Sequence, residues 1–274
     1  MARKRRRAAR SAEAKRADVY RLYQEAVQDP EGDVALVSRI FKRHYGRAPR
    51  LLREDFCGTA AMACAWVRHH RENCAWGIDL DPEPLAWGQA HNIAGLDPHQ
   101  AERIHLIEAD VLDARHAKVD ATVAFNFSYF IFKTREQLVR YFEKARSTLR
   151  EEGILVLDLY GGADAQRRMA ETREYDHFDY VWDQDVFDPI HHNVVNYIHF
   201  EFADGSRLQR AFRYDWRLWS IPEVRDALLD AGFSKTEAYW EQTDRRTNEG
   251  NGTYYRAERA EDDPAWVAYV VGLR

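Results

Sequence analysis

The residues best suited to chemistry lie in the run Leu51-Leu52-Arg53-Glu54-Asp55-Phe56-Cys57-Gly58-Thr59-Ala60. Its start reads as a short strand, and Gly58 with its small neighbours reads as a tight turn into a helix. Such a turn lets the backbone approach a ligand at the carboxyl edge of a sheet, beside a helix N-terminus. Asp79 follows 21 residues after Gly58, at the end of a second strand-like run. A carboxylate there can accept hydrogen bonds from ribose hydroxyls. Glu108-Ala109-Asp110 ends a third such run, and Asp110 can meet an adenine amino group. These segments together point to an adenosine-containing ligand.

The chemistry of the turn narrows the choice. A dinucleotide carries a pyrophosphate, and its turn normally needs three glycines for close approach. Only Gly58 is present here, with Phe56 and Ala60 at the other two places, and Glu54 and Asp55 are poor neighbours for phosphate. S-adenosylmethionine (SAM) has no phosphate. Its sulfonium and ammonium groups favour acidic and aromatic surroundings. The turn therefore favours SAM over NAD, and an NAD-linked oxidoreductase is disfavoured.

The segment resembles the class I SAM-dependent methyltransferases, especially a bacterial subset whose first motif reads Glu-Asp-Phe-Cys-Gly-Thr. The resemblance covers about residues 50–160. It is carried in order by Glu54–Ala60, Gly77-Ile78-Asp79-Leu80-Asp81-Pro82, Glu108-Ala109-Asp110, Phe125-Asn126-Phe127-Ser128, and a helix followed by the Gly153–Asp158 strand. It implies that Glu54, Phe56, Cys57, Gly58 and Thr59 line the cofactor, with Glu54 and Gly58 flanking its methionine part. It also implies that Asp79 binds the ribose, Leu80 packs on adenine and Asp110 reaches the adenine amino group. Phe56 and Ala60 depart from the glycines of the broader superfamily.

Methyl transfer is an in-line displacement at a carbon already activated by positive sulfur. Alignment and desolvation supply much of the acceleration, no metal is required, and a base is needed only if the acceptor carries a proton. Candidate catalytic residues are Asn126 and Tyr129, at the carboxyl end of the fourth strand, and His191 in a later turn. Asn126 also sits beside the expected methyl position. Asn126-Phe127-Ser128-Tyr129 lacks the Asn/Asp-Pro-Pro-Tyr/Phe signature of amino-directed nucleic-acid and glutamine methyltransferases. Tyr160 ends the fifth strand. Tyr197, His199, Tyr214, Trp216 and Trp219 are available for an aromatic acceptor pocket, and Trp182-Asp183-Gln184-Asp185 suggests a place for a cationic acceptor.

The elements that must position these residues follow an alternating rhythm. Residues 17–49 read as an N-terminal helical extension, with Asp29-Pro30-Glu31-Gly32 interrupting two amphipathic stretches. Residues 50–160 alternate strand and helix, which implies a Rossmann-like, doubly wound α/β core. Ile154–Leu159 is almost wholly apolar, as a strand covered on both faces should be. Residues 161–220 read as an antiparallel β insertion of three strands (178–187, 193–202 and 207–218), a lid over the acceptor site. Ala203-Asp204-Gly205-Ser206 supplies a hairpin turn. Residues 221–274 complete a seven-stranded sheet, parallel with one antiparallel strand, and Thr243–Pro264 reads as a loop.

The chain has 274 residues, 45% hydrophobic and 31% charged, which excludes collagen-like, disulfide-stapled and wholly disordered classes. No apolar run is long enough for a transmembrane helix, so no membrane partner is expected. The first residues lack the apolar stretch of a secretory signal. Cys57, Cys64 and Cys74 lack paired zinc spacing and fit a reduced cytoplasm. Net charge is −5, but residues 1–16 hold eight Lys/Arg and one acid, Glu13. That segment reads as a basic disordered tail on an acidic body, which disfavours a nucleic-acid partner. The reading is a cytoplasmic SAM-dependent methyltransferase with a small-molecule acceptor. The alternatives are an RNA or protein methyltransferase using the Arg-rich tail, and a non-catalytic SAM-binding regulatory or scaffold protein.

Overall fold

A computed structural model describes residues 13–243 and 250–274; most of the proposed basic tail lies outside the described residues. The described residues begin with a one-turn helix α1 (Glu13–Arg16) and α2 (Val19–Val27). Helix α2 is capped by Asp18, whose side chain accepts from the Tyr20 and Arg21 amides. Helix α3 (Pro30–Tyr45) starts one residue after its cap Asp29 and stops at Gly46, with φ of 70°. The sequence reading treats Pro30-Glu31-Gly32 as a break. Proline at the first helical position needs no amide partner, so these residues form the first turn of α3 instead.

The core then runs β1 (Leu51–Asp55), α4 (Ala61–His69), β2 (Cys74–Asp79), α5 (Pro82–His91), α6 (Pro98–Ala101), β3 (Ile104–Glu108), β4 (Val119–Ala124), α7 (Arg135–Thr148) and β5 (Leu149–Gly161). An insertion follows: β6 (Met169–Glu174), β7 (Asp179–Asp188), β8 (Asn193–Glu201) and β9 (Arg207–Arg217). The chain closes with α8 (Ile221–Asp230), β10 (Lys235–Thr243), β11 (Gly250–Ala257) and β12 (Trp266–Leu273).

The main sheet has the order β11-β10-β12-β5-β4-β1-β2-β3. Strands β1 to β5 are mutually parallel, and β12 runs antiparallel to β5. The sheet therefore has eight strands rather than the seven expected. The extra one is β11, antiparallel to β10, inside the segment read as a loop. Its Gly- and Asn-rich, largely exposed sequence carries no period-2 signal, and its pairing with β10 makes it a strand. The insertion is a separate antiparallel sheet of four strands, β6-β7-β8-β9, rather than three. Strand β6 is exposed at every residue, so burial leaves no alternation in it to read.

Strand order reverses between β1 and β4, the switch point where open α/β sheets leave a crevice at their carboxyl edge. Both sheet faces are covered. Ile154 and Val156 of β5 pack with α3 and α4, while Leu155, Leu157 and Leu159 pack with α7 and α8. This alternation explains why the whole run is apolar, and each such side chain contributes about 1.5–3 kcal/mol by burial. Helix α3 is part of this core through Val37, Ile40 and Phe41. Helix α2 instead lays Ala26, Leu22 and Tyr23 on the insertion, against Phe178, Ile198 and Phe200. It thereby spans the space between the two sheets. Among the described residues no helix is long and apolar enough to cross a membrane.

Candidate active site

The β1–α4 turn takes a glycine-like path without three glycines. Phe56, Gly58 and Ala60 have φ of 59°, 51° and 57°. A non-glycine residue in this left-handed region costs about 1–2 kcal/mol. Local contacts hold it there. The Phe56 ring packs 6.2 Å from Phe132 and 5.9 Å from Tyr141, centroid to centroid, and Ala60 is fully buried. The Cys57 amide donates to Ile78 O, the Ala60 amide to Cys57 O, and the Gly58 amide to Asp79 Oδ2 at 2.7 Å. Asp79 also accepts from the Asp81 amide at 3.0 Å, so one carboxylate ties the first turn to the second. The remaining lone pairs of Asp79 are free for further donors.

Each neighbouring group has a defined place. Glu54 is buried and accepts from the Ala63 amide at 3.0 Å, capping the first turn of α4. Burial pushes its carboxyl up to about 8, against the pull of that hydrogen bond. Cys57 is buried, and burial raises its thiol well above the ordinary range, so it offers no thiolate. Thr59 is enclosed, with its Oγ1 accepting from Gln24 Nε2 at 2.6 Å and its carbonyl accepting from Asn92 Nδ2 at 2.8 Å. A side chain at Gly58 would meet nothing within 4 Å, so this position faces open space. Leu80 is 68% exposed at the same edge, an apolar surface free for a planar ring. Asp110 is exposed and accepts from the Leu112 amide at 2.8 Å. Its loop is pinned from below by the buried Arg53, which pairs with Asp55 at 2.6 Å and donates to Val111 O at 2.6 Å.

Helix α2 roofs this crevice. Besides the Gln24–Thr59 bond, Asp18 accepts from Trp87 Nε1 at 2.9 Å. Tyr20 faces Glu83, Asp81 and Asp79, and burial followed by Glu83 pushes its hydroxyl up to about 12. The crevice carries carboxylates and no phosphate-binding glycine nest. A cationic nucleoside fits this donor set, and a diphosphate does not.

A second space opens beyond the end of β4. Asn126 and Phe127 have φ of 57° and 59°, and their amides donate to the two oxygens of Asp158 at 2.7 and 2.9 Å. One carboxylate thus clamps a strained turn. Burial pushes Asp158 up to about 8, with the two amides opposing. A cavity of about 520 Å³ adjoins, lined by Tyr23, Asp29 and Asp33 of the N-terminal segment, Phe125–Phe127, Asp158 and Tyr160 at the strand ends, Trp182, Tyr214 and Trp216 of the insertion, and Trp266 and Tyr269 of β12.

Of the catalytic candidates, Asn126 lines the cavity and the other two do not. Tyr129 is fully buried with its hydroxyl unpartnered, packed against Phe130 and Phe142, and its hydroxyl is raised well above the ordinary range by burial. It is a core side chain. His191 is exposed in the β7–β8 turn, paired with Asp188 at 2.6 Å. Strand alternation divides the Trp182–Asp185 group. Trp182 and Gln184 face the cavity, while Asp183 pairs with His199 and Asp185 with Arg168. Lining residues to which the sequence reading gives no site role include Tyr23, Asp33 and Asp158. Asp158 alone had a visible signal, as the single charge in the apolar run Ile154–Leu159. Among the described residues no group of three or more His, Cys, Asp or Glu is placed to hold a metal ion.

No family model and no curated protein matches the sequence. Among solved structures, the fold is one that SAM-dependent methyltransferases adopt. A SAM-dependent methyltransferase from Clostridium acetobutylicum ATCC 824 superposes with a TM-score of 0.65 at 16% identity, over 93% of this chain and 97% of that one. DesVI from Streptomyces venezuelae gives 0.66 at 16% identity, with the same coverage of 93% and 97%. CalS10, a SAM-bound amino pentose methyltransferase from Micromonospora echinaspora, gives 0.63 at 16% identity over 92% and 97%. At these identities the likeness is one of fold.

Proposed function

We propose that this protein transfers a methyl group from SAM to a small-molecule acceptor held in the 520 Å³ cavity. The observation that carries this reading is the acidic crevice at the β1/β4 switch point, where Gly58 faces open space and its amide is held by Asp79 at 2.7 Å. The fold shared with SAM-dependent methyltransferases, one of them solved with SAM bound, supports the same assignment.

SAM supplies a methyl group on positively charged sulfur. In this proposal Asp79 holds the ribose, Leu80 packs on the adenine and Asp110 accepts from its amino group. Gly58 lets the backbone approach the methionine part, with Glu54 setting the start of α4 beneath it. Asn126 and Phe127, fixed by Asp158, form the wall between cofactor and acceptor. Helix α2 excludes water by covering both, which strengthens every electrostatic contact inside. Three free cysteines support a reducing compartment such as the cytoplasm.

The test is calorimetry with SAM on the wild-type protein and on Asp79→Ala, followed by labelled-methyl transfer into cell extract with small-molecule and polymer fractions counted separately. The expected result is at least tenfold weaker SAM binding in a folded variant and label in the small-molecule fraction. Unchanged SAM affinity in folded Asp79→Ala removes the cofactor assignment. Label confined to polymer removes the acceptor assignment.

A further inference from the structure

Among the described residues, the cavity carries more negative charge than its walls neutralise. Six carboxyl groups line it, with Arg173 as the only guanidinium among the described lining residues. Arg173 is committed to Glu171 at 3.1 Å, and Asp164 is matched by Arg167 at 2.8 Å. Asp29, Asp33, Asp158 and Glu241 pair with no cation among the described residues. They are met by neutral donors: the Gly32 amide to Asp29, the Gly252 amide and the Tyr254 hydroxyl to Glu241, Tyr269 OH to Asp33 Oδ1, and the Asn126 and Phe127 amides to Asp158. Asp33 Oδ2 accepts no hydrogen bond among the described residues.

Asp33 and Asp158 line the same cavity, Asp158 buried and Asp33 half-buried. Burial pushes Asp33 up to about 7 and Asp158 up to about 8. A buried carboxylate without a counter-ion either takes up a proton or binds a cation. Much of the remaining wall is aromatic, including Tyr23, Trp182, Tyr214, Trp216, Trp266 and Tyr269, beside aliphatic Val27, Met169, Ile198 and Val267. Ring faces attract cations most strongly where water is excluded. The acids and the rings therefore select the same kind of ligand independently.

We propose that the acceptor is a small molecule with a basic nitrogen, bound as its ammonium ion at Asp33 and Asp158 between the aromatic walls and methylated on that nitrogen. The inference rests on the methyl-transfer reading above. The ammonium gives one proton to the Asp33 carboxylate, which frees the nitrogen lone pair. That pair forms the N–C bond as the S–C bond breaks and its electrons stay on sulfur. The positive charge passes from sulfur to the methylated nitrogen, and the carboxyl proton leaves to solvent with product.

The test compares ligands of matched shape and different charge: benzylamine with benzyl alcohol, tyramine with 4-(2-hydroxyethyl)phenol, and cyclohexylamine with cyclohexanol. Binding to the full chain is read by calorimetry and tryptophan fluorescence. At pH 8 the amine of at least one pair binds tenfold or more tighter than its alcohol, and Asp33→Asn cuts that ratio at least fivefold. The ratio on the wild-type protein also rises from pH 6 to 8.5, because the carboxyls ionise while the amines stay charged. The facing Tyr23 and Tyr269 are raised by burial and stay neutral throughout. Equal binding within every pair, no binding of any probe at 10 mM, or a ratio indifferent to Asp33→Asn overturns the proposal. A ratio that is flat with pH does the same if Asp33→Asn fails to fold. SAM binding measured on the same samples separates the two claims. If SAM binds without amine preference, this inference falls alone; if amines are preferred but SAM does not bind, the methyl-transfer reading falls.

Discussion

Replacing Gly58 by alanine separates what the first turn needs for folding from what it needs for its ligand. Gly58 has φ of 51°, so an added Cβ meets a backbone penalty of about 1–2 kcal/mol. Loss of unfolded-state freedom returns about 0.4–1 kcal/mol. The new methyl contacts no protein atom within 4 Å, so no steric term is added. The net cost is about 1 kcal/mol, a fall in Tm of about 2–4 °C for a chain of this size. The same methyl would project into the space assigned to the cofactor. SAM affinity should therefore fall at least tenfold, about 1.4 kcal/mol or more. Ala60→Gly is the control. It relieves a similar backbone strain but loses a buried methyl worth about 0.8 kcal/mol and adds chain entropy, so stability and SAM affinity should hardly move. Thermal melts and calorimetry on both variants decide the matter. A folded Gly58→Ala protein that binds SAM within twofold of wild type would refute the placement of the cofactor at this turn.

Two further outcomes follow from the same geometry. Glu54 and Asp158 are pushed up to about 8 and Asp33 to about 7, so the native state holds protons that the unfolded chain releases near pH 4. Their contribution to stability is complete below pH 4 and is lost as pH rises towards 8, by up to about 1.4 kcal/mol per pH unit for each group. Tm of the ligand-free protein should fall between pH 5.5 and 8.5, and less steeply in Glu54→Gln; a flat or rising Tm contradicts the burial argument. Gln24→Ala removes the 2.6 Å bond from α2 to Thr59 at a cost of about 0.5–1.5 kcal/mol. Stopped-flow release of SAM should quicken several-fold, with a fall in Tm of about 1–6 °C; unchanged release would show that α2 does not retain the ligand.

Local chemistry determined much of this protein from the sequence alone. Asp81-Pro82 at the start of α5 and the apolar run of β5 encode themselves within a few residues, because capping and burial on two faces leave local patterns. The spacing of Gly58, Asp79 and Asp110 brings those residues to one sheet edge once the strands are parallel, with Asp79 opposite Glu108 in register. Other features have no local cause. Phe56 and Ala60 do not look like left-handed residues, and they become so because Phe132, Tyr141 and the Asp79 bridge hold the turn. Strands β6 and β11 exist because a neighbour supplies hydrogen bonds. Tyr129 and Asn126 lie three residues apart, yet one enters the core and the other lines the cavity. Asp33 and Asp158, 125 residues apart in the chain, line one cavity. Their desolvation is a property of the packed molecule, since the surrounding elements remove much of the water that would otherwise screen them.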